Sequence, residues 1–157
     1  HRHLHSFPTR RSSDLVLAHE LGHFKRRHVV KMLAISALMS LLGLALLGWL
    51  AGQQWFYAGL GVARPGNAAA LVLFMLVMPV FTVFVSPLLA RLSRRHEFEA
   101  DDFAAAQTDP KHLISGLVKM YRDNASTLTP DPLYSAFHHS HPPAPVRIAH
   151  LSSKIPA

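Results

Sequence analysis

Two long stretches of the chain carry no charge. Residues 32–51, "MLAISALMSLLGLALLGWLA", are twenty consecutive uncharged and mostly apolar positions. At about 1.5 Å of rise each, twenty helical residues reach about 30 Å, the thickness of a bilayer's hydrocarbon core. A second uncharged run, "PGNAAALVLFMLVMPVFTVFVSPLLA", covers residues 65–90. It predicts a span over about 67–90, kinked at Pro79 and Pro87, which membrane helices tolerate better than soluble ones. A buried helical hairpin in a soluble protein is the competing explanation, but too few residues remain to cover two such helices. Beyond the second run, "RLSRRHEFEADDFAAAQ" sets alanines and charges at helical spacing and predicts a further helix. "TDP" at 108–110 reads as a stop and restart, with Pro110 suited to a first helical turn. "KHLISGLVKMYRDN" is then an amphipathic helix, "ASTLTPDPLYSAFHHSHPPAP" an irregular segment, and a short final helix starts near Pro145. The predicted fold class is all-α: a multi-pass membrane helical protein with two transmembrane helices and a C-terminal helical segment.

Composition agrees with that pattern. The chain has 157 residues, is half hydrophobic and is only 16% charged, which is unusual for a soluble domain. A formal charge of +7 raises the prospect of nucleic acid, but the basic residues flank apolar stretches and do not interleave with aromatics. Lys25, Arg26, Arg27 and Lys31 precede the first span and Arg91, Arg94 and Arg95 follow the second, while the loop "GQQWFYAGLGVAR" holds only Arg64. The positive-inside rule then puts both outer ends in the cytoplasm, with Trp55 and Tyr57 at the opposite interface. The expected partner is a lipid bilayer, not nucleic acid. Two spans return the chain to the side it left, so residues before 31 and after 91 can meet. The stretch "HSFPTRRSSDL" resembles translated read-through of a sequencing adapter joined near Val16. Residues 1–15 are therefore set apart as a non-native segment, and His1, His3 and His5 are discounted as ligands.

Twelve histidines stand against nine acids, of which only Glu20, Glu97 and Glu99 are glutamates, and cysteine is absent. Any metal must be held by His, Asp or Glu. Residues 17–28, "LAHELGHFKRRH", contain the pattern H-E-x-x-H. On a helix His19 and His23 stand one above the other, so their rings can converge on one ion. Zinc binds neutral imidazole and takes three protein ligands plus water in a catalytic site. Glu20, beside the first ligand, can take a proton from a water whose pKa the metal has lowered. A third ligand must come from elsewhere, and "RRHEFEADD" is the outstanding acidic patch on the same side of the membrane. Glu97 and Asp101 share one helical face there. Glu97 is assigned as the third ligand, giving one Zn2+ per chain. Asp101 is assigned to accept a hydrogen bond from the far nitrogen of a ligand histidine, His19 being its expected partner. Glu99 projects about 160–200° away and is expected to be a bystander on the surface. His28, His96, His112 and His150 are expected at the surface or an interface.

Taken in order, "HELGH", two hydrophobic spans, "SRRHEFEADDFA" and "DPLYSAFHHSHPP" resemble the C-terminal part of the integral-membrane type I CAAX prenyl endopeptidases. The likeness runs from about Val16 to Leu151. That family comprises zinc metalloproteases with a glutamate as third ligand. The resemblance implies a zincin-type active-site helix in which His19, His23 and Glu97 bind zinc and Glu20 is general base and acid. His141, in S-H-P-P, matches a family histidine that approaches the substrate carbonyl, where a donor imidazole would stabilise developing charge. A turn residue before two prolines is the competing explanation for it, and His138 and His139 are nearby alternatives. Arg147 matches a recurring basic residue of this segment and equally suits a solvated helix surface. Residues 16–157 would then form the C-terminal part of a membrane metalloprotease domain, whose family members add upstream helices that wall a chamber around the zinc. The implied function is a zinc-dependent membrane endopeptidase using zinc-activated water on a peptide or protein substrate, either a prenylated CAAX-type tail or another hydrophobic peptide. The HtpX type, which degrades damaged membrane proteins and shares H-E-x-x-H and E-F-x-A-D, is the alternative. A non-catalytic metal-binding membrane fragment is a third reading, opposed by the absence of His and acidic residues from 32–90. The short loops point to a bacterial cytoplasmic membrane; a eukaryotic source would imply the endoplasmic reticulum.

Overall fold

The computed structural model describes residues 10–123 and 131–155. Among the described residues seven helices follow one another: α1 (Arg10–Lys25), α2 (His28–Ala51), α3 (Gln54–Gly59), α4 (Asn67–Gln107), α5 (Pro110–Asp123), α6 (Pro132–His138) and α7 (Ala144–Ser152). No strand occurs among the described residues, and the protein is all-α. The chain divides into two compact units, one made of Val29–Ser86 and the other of the residues before and after it.

In the Val29–Ser86 unit the apolar run of α2 forms one helix, and α4 begins the second. Both helices are long and apolar enough to cross a membrane. Neither behaves as the core of a soluble protein, because none of the most apolar window of α2 is buried and only 11% of that of α4. Phe84 is 73% exposed, and Leu41, Leu44 and Leu76 are also exposed. The loop between the helices is more ordered than a connecting loop need be. It contains α3, whose Phe56 and Tyr57 pack with Ala70 and Leu73 in a small core. Tyr57 is buried and donates its hydroxyl hydrogen to the Ala51 carbonyl at 2.9 Å, whereas Trp55 is exposed. Of these two aromatics only Trp55 has the exposure expected of an interface residue.

Helix α4 runs without interruption from the apolar run into "RRHEFEADDFAAAQ". The span and the following helix are thus one element, and Pro79 and Pro87 do not end it. Nothing between Leu88 and Gln107 opposes continuation, since that stretch has neither Gly nor Pro and is rich in Ala, Leu, Arg and Glu. Thr82 donates its hydroxyl to the Pro79 carbonyl and Ser86 to the Thr82 carbonyl, both at 2.9 Å. The helix ends where Thr108 bonds back to the Ala104 carbonyl and Asp109 caps the Lys111 amide at 2.9 Å. Pro110 then opens α5.

The second unit has a conventional core: Ala18 of α1, Ala104 of α4, Leu113 and Leu117 of α5, and Leu151 of α7. Leu15 packs against it, so α1 draws on residues inside the stretch set apart as non-native. The segment expected to be irregular contains α6, capped by the Asp131 carboxylate on the Tyr134 amide at 2.8 Å. The first part of that segment, 125–130, lies outside the described residues, as do residue 124 before it and His1, His3 and His5.

Candidate metal centre

Helix α1 presents His19 and His23 one turn apart, and α4 presents Glu97 and Asp101 likewise. Their approach depends on Gly22. A Cβ at that position would lie 2.9 Å from the Ala100 Cα and 3.0 Å from its carbonyl oxygen. Ala100 itself is fully buried. Two small residues therefore let the backbones come close enough for short side chains to meet across the gap.

His19 Nε2 lies 3.2 Å from His23 Nε2 and 3.6 Å from Glu97 Oε2, and His23 Nε2 lies 3.4 Å from Glu97 Oε1. One donor atom from each of the three fits within 4.8 Å. Ligands held tetrahedrally about 2.0–2.1 Å from zinc stand about 3.3–3.4 Å apart. The two distances to Glu97 use its two oxygens, and two imidazoles and a carboxylate this close together are a donor set suited to a divalent ion. The electrostatics point the same way. Glu97 is 5% exposed and Asp101 1%. Burial alone would lower the His19 pKa, but Asp101 and Glu97 override it and raise it to about 9. Burial likewise works to raise Glu97, and His19, His141 and Arg147 outweigh it and hold the carboxyl down at about 2. An environment that keeps a proton on His19 is one that favours positive charge. Burial and the neighbouring His19 lower His23.

Asp101 Oδ1 comes within 3.0 Å of His19 Nδ1. The approach is short but not aligned as a hydrogen bond, and the buried Nδ1 has no other partner. Asp101 is fixed from behind by Arg147, whose Nε and Nη2 donate to its two oxygens at 2.8 and 2.5 Å. Arg147 Nη1 also lies 3.6 Å from Glu97. Arg147 is therefore a half-buried partner of the acidic pair, not a solvated helix-surface residue. His141 reaches Glu97 Oε1 with its Nδ1 at 3.1 Å from the loop between α6 and α7, and its side chain remains 68% exposed. Arg94 holds that loop, donating from Nη1 to the carbonyls of Ser135, Ala136 and His139 at 3.2, 3.3 and 2.7 Å. His138 and His139 pack on Tyr134, and His139 also meets the Ser135 hydroxyl. Glu20 is exposed on α1 beside His19, close enough for its charge to act on His23.

The expected surface histidines divide. His112 is exposed, and His150 is half-buried against Asp102 at 2.6 Å. His28 and His96 are instead 2% and 4% exposed, with their rings stacked at 4.1 Å. Glu99 is no bystander either: it meets His28 Nε2 at 3.1 Å and Arg95 Nε at 3.0 Å. Sequence spacing misplaced these residues because the helix containing "HELGHFKRRH" breaks within the motif. Arg27 adopts φ 55° and its amide bonds the Phe24 carbonyl at 3.0 Å, a left-handed turn that carries His28 back towards His23.

Helices of membrane length and a His-His-Glu cluster assembled from α1 and α4 define the class as helical membrane proteins with a candidate metal centre. The chain belongs to peptidase family M48, whose family model matches residues 4–155. It is 37% identical over 140 residues to the mouse (Mus musculus) CAAX prenyl protease 1 homolog, covering 88% of this chain and 30% of that protein. The Saccharomyces cerevisiae CAAX prenyl protease 1 is 29% identical over 151 residues, covering 87% and 33%. The crystal structure of Ste24p from S. mikatae superposes with a TM-score of 0.77 at 28% identity, covering 87% of this chain and 35% of that one. The chain thus spans about a third of the length of these relatives.

Proposed function

We propose that the chain supplies the metal centre of a membrane zinc endopeptidase. His19, His23 and Glu97 would hold one Zn2+, and the observation that carries this reading is their convergence from two helices more than seventy residues apart. Zinc, when bound, supplies a Lewis acid that lowers the pKa of water and polarises the scissile carbonyl. The remaining work falls to the chain's own side chains. Glu20 takes the proton of the attacking water and delivers it to the leaving amine. His141 donates to the carbonyl oxygen as negative charge develops there. Asp101 orients His19, and Arg147 keeps the Asp101 carboxylate ionised and aimed.

The names of the relatives favour a prenylated CAAX-type tail as substrate, with other hydrophobic peptides as the broader class. The membrane would be the cytoplasmic one in a bacterium and the endoplasmic reticulum in a eukaryote. The deciding experiment is Glu20→Gln in the full chain, read by bound zinc and by cleavage of a prenylated CAAX peptide beside an unprenylated hydrophobic peptide. Zinc should stay and cleavage of the prenylated peptide should vanish. Retained cleavage refutes the mechanism. Cleavage by the unaltered chain of the unprenylated peptide alone would shift the reading to HtpX-type quality control, and cleavage of neither to a non-catalytic metal-binding role.

A further inference from the structure

Behind His23, on the side away from Glu97, runs a line of polar side chains. His23 Nδ1 lies 3.0 Å from His28 Nδ1. His28 Nε2 lies 3.1 Å from Glu99 Oε2, and Glu99 Oε1 accepts from Arg95 Nε at 3.0 Å. His28 is almost wholly buried and its ring is stacked on His96 with an interplanar angle of 10°. Parallel stacked rings do not aim their nitrogens at one point, so this group is not a second ion site.

A neutral imidazole has one donor and one acceptor nitrogen. Once His23 turns a lone pair at Nε2 towards a metal, its hydrogen must sit on Nδ1. His28 Nδ1 must then accept, which puts the His28 hydrogen on Nε2, where it donates to Glu99. Glu99, ionised, accepts there and also from Arg95. Each contact is satisfied in that single sense. Run backwards, the line fails at Glu99, because an ionised carboxylate cannot donate to His28.

We propose that His28, backed by Glu99, is a positioning residue that fixes the tautomer and ring orientation of His23 for metal binding. It does for His23 what Asp101 does for His19. The left-handed turn at Arg27, a conformation that L residues rarely adopt, delivers His28 to this place. The inference rests on the metal-centre reading of His19, His23 and Glu97.

The test uses the full chain loaded with zinc alone, titrated against a competing chelator, and with cobalt(II) for its visible spectrum. His28→Phe keeps the ring and its stack on His96 but removes the acceptor. Zinc affinity should fall about 10-fold or more, and the cobalt bands should change. His28→Asn loses the stack but places an amide oxygen near the Nδ1 position, and it should bind zinc more tightly than the Phe variant. A packing role demands the opposite order. Phe equal to the unaltered chain, or tighter than Asn, overturns the proposal. Should His28→Phe fail to fold, Glu99→Leu at the outer end of the line serves instead. It should weaken zinc, by up to about 10-fold, and unchanged affinity there overturns the proposal. His23→Ala separates the two levels. If it leaves zinc affinity intact the metal-centre reading falls, whereas if it abolishes binding beside a normal His28→Phe, only the role of His28 falls.

Discussion

The two units of this chain invert each other's rules. In the unit carrying His19, His23 and Glu97, charged and titratable groups are inside: His28, His96, Glu97 and Asp101 are all buried. In the Val29–Ser86 unit, long apolar side chains are outside, with Leu41, Leu44, Leu76 and Phe84 all exposed. An apolar face left open along a whole helix is stable in lipid and a liability in water. A buried acid is tolerated only when paired. The same side chain thus has opposite value in the two units, and substitutions should reveal it.

The largest effect is expected at Arg147. Removing it leaves the Asp101 carboxylate buried beside Glu97 with the imidazoles of His19 and the exposed His141 to balance the two, and breaking a buried pair costs about 3–5 kcal/mol. Arg147→Ala should therefore lower the melting temperature sharply in thermal unfolding followed by circular dichroism. Arg147→Ala combined with Asp101→Asn should recover part of the loss. The pH dependence has a definite sign. Burial works to raise the Asp101 pKa, while His19 and Arg147 outweigh it and hold it below the ordinary value. A depressed acid contributes stability that is present above the unfolded pKa and lost as pH falls through the folded one. Acid unfolding of the unaltered chain should begin below about pH 4, and in Arg147→Ala it should begin at higher pH. A variant with an unchanged melt would mean that the buried charges of this unit do not depend on one another.

Next in size is a charge placed on the open apolar surface. Leu41→Asp, in the middle of α2, puts a carboxylate where an acyl chain is expected, at about 3 kcal/mol for a charge at the centre of a membrane helix. The variant should leave the membrane fraction in a flotation assay, and solubilised protein should keep its zinc affinity. In water the same change on an exposed leucine would be near neutral. Undiminished flotation would remove the lipid-facing assignment of this unit.

How much of this was legible beforehand follows from the same contrast. Both long apolar helices were readable because a run of uncharged residues is a one-dimensional property. His19, His23, Glu97 and Asp101 were readable as two pairs at one-turn spacing, which a helix converts directly into shared faces. Three features were not. The burial of His28 depends on a helix break at Arg26–Arg27, where no Gly or Pro announces a stop and an arginine takes the left-handed conformation. Arg147 finds Asp101 46 positions away, a pairing that no periodicity encodes. The continuity of α4 past the apolar run was hidden because a change of solvent reads like a change of element, although the backbone registers none.

The smallest effects come from a matched pair of glycines and give the most direct comparison. Gly22 sits against the Ala100 backbone in the metal-site unit, while a Cβ at Gly48 of α2 meets nothing within 4 Å. Both lie in helices, where replacing Gly by Ala favours the folded backbone by about 0.5–1 kcal/mol when space allows. At Gly48 that gain should appear as a slightly higher melting temperature and an unchanged zinc affinity. At Gly22 the gain is outweighed, because an added Cβ at 2.9 Å from a backbone atom forces α1 and α4 apart, at about 1–3 kcal/mol for an overpacked contact. A shift of a few tenths of an ångström also lengthens the His19–Glu97 and His23–Glu97 separations and so loosens the grip of the three side chains on one ion. Gly22→Ala should therefore lower both melting temperature and zinc affinity, and the opposite signs of the two substitutions are the measurement. Were Gly22→Ala as benign as Gly48→Ala, the close approach of α1 and α4 would not be what holds the three ligands together.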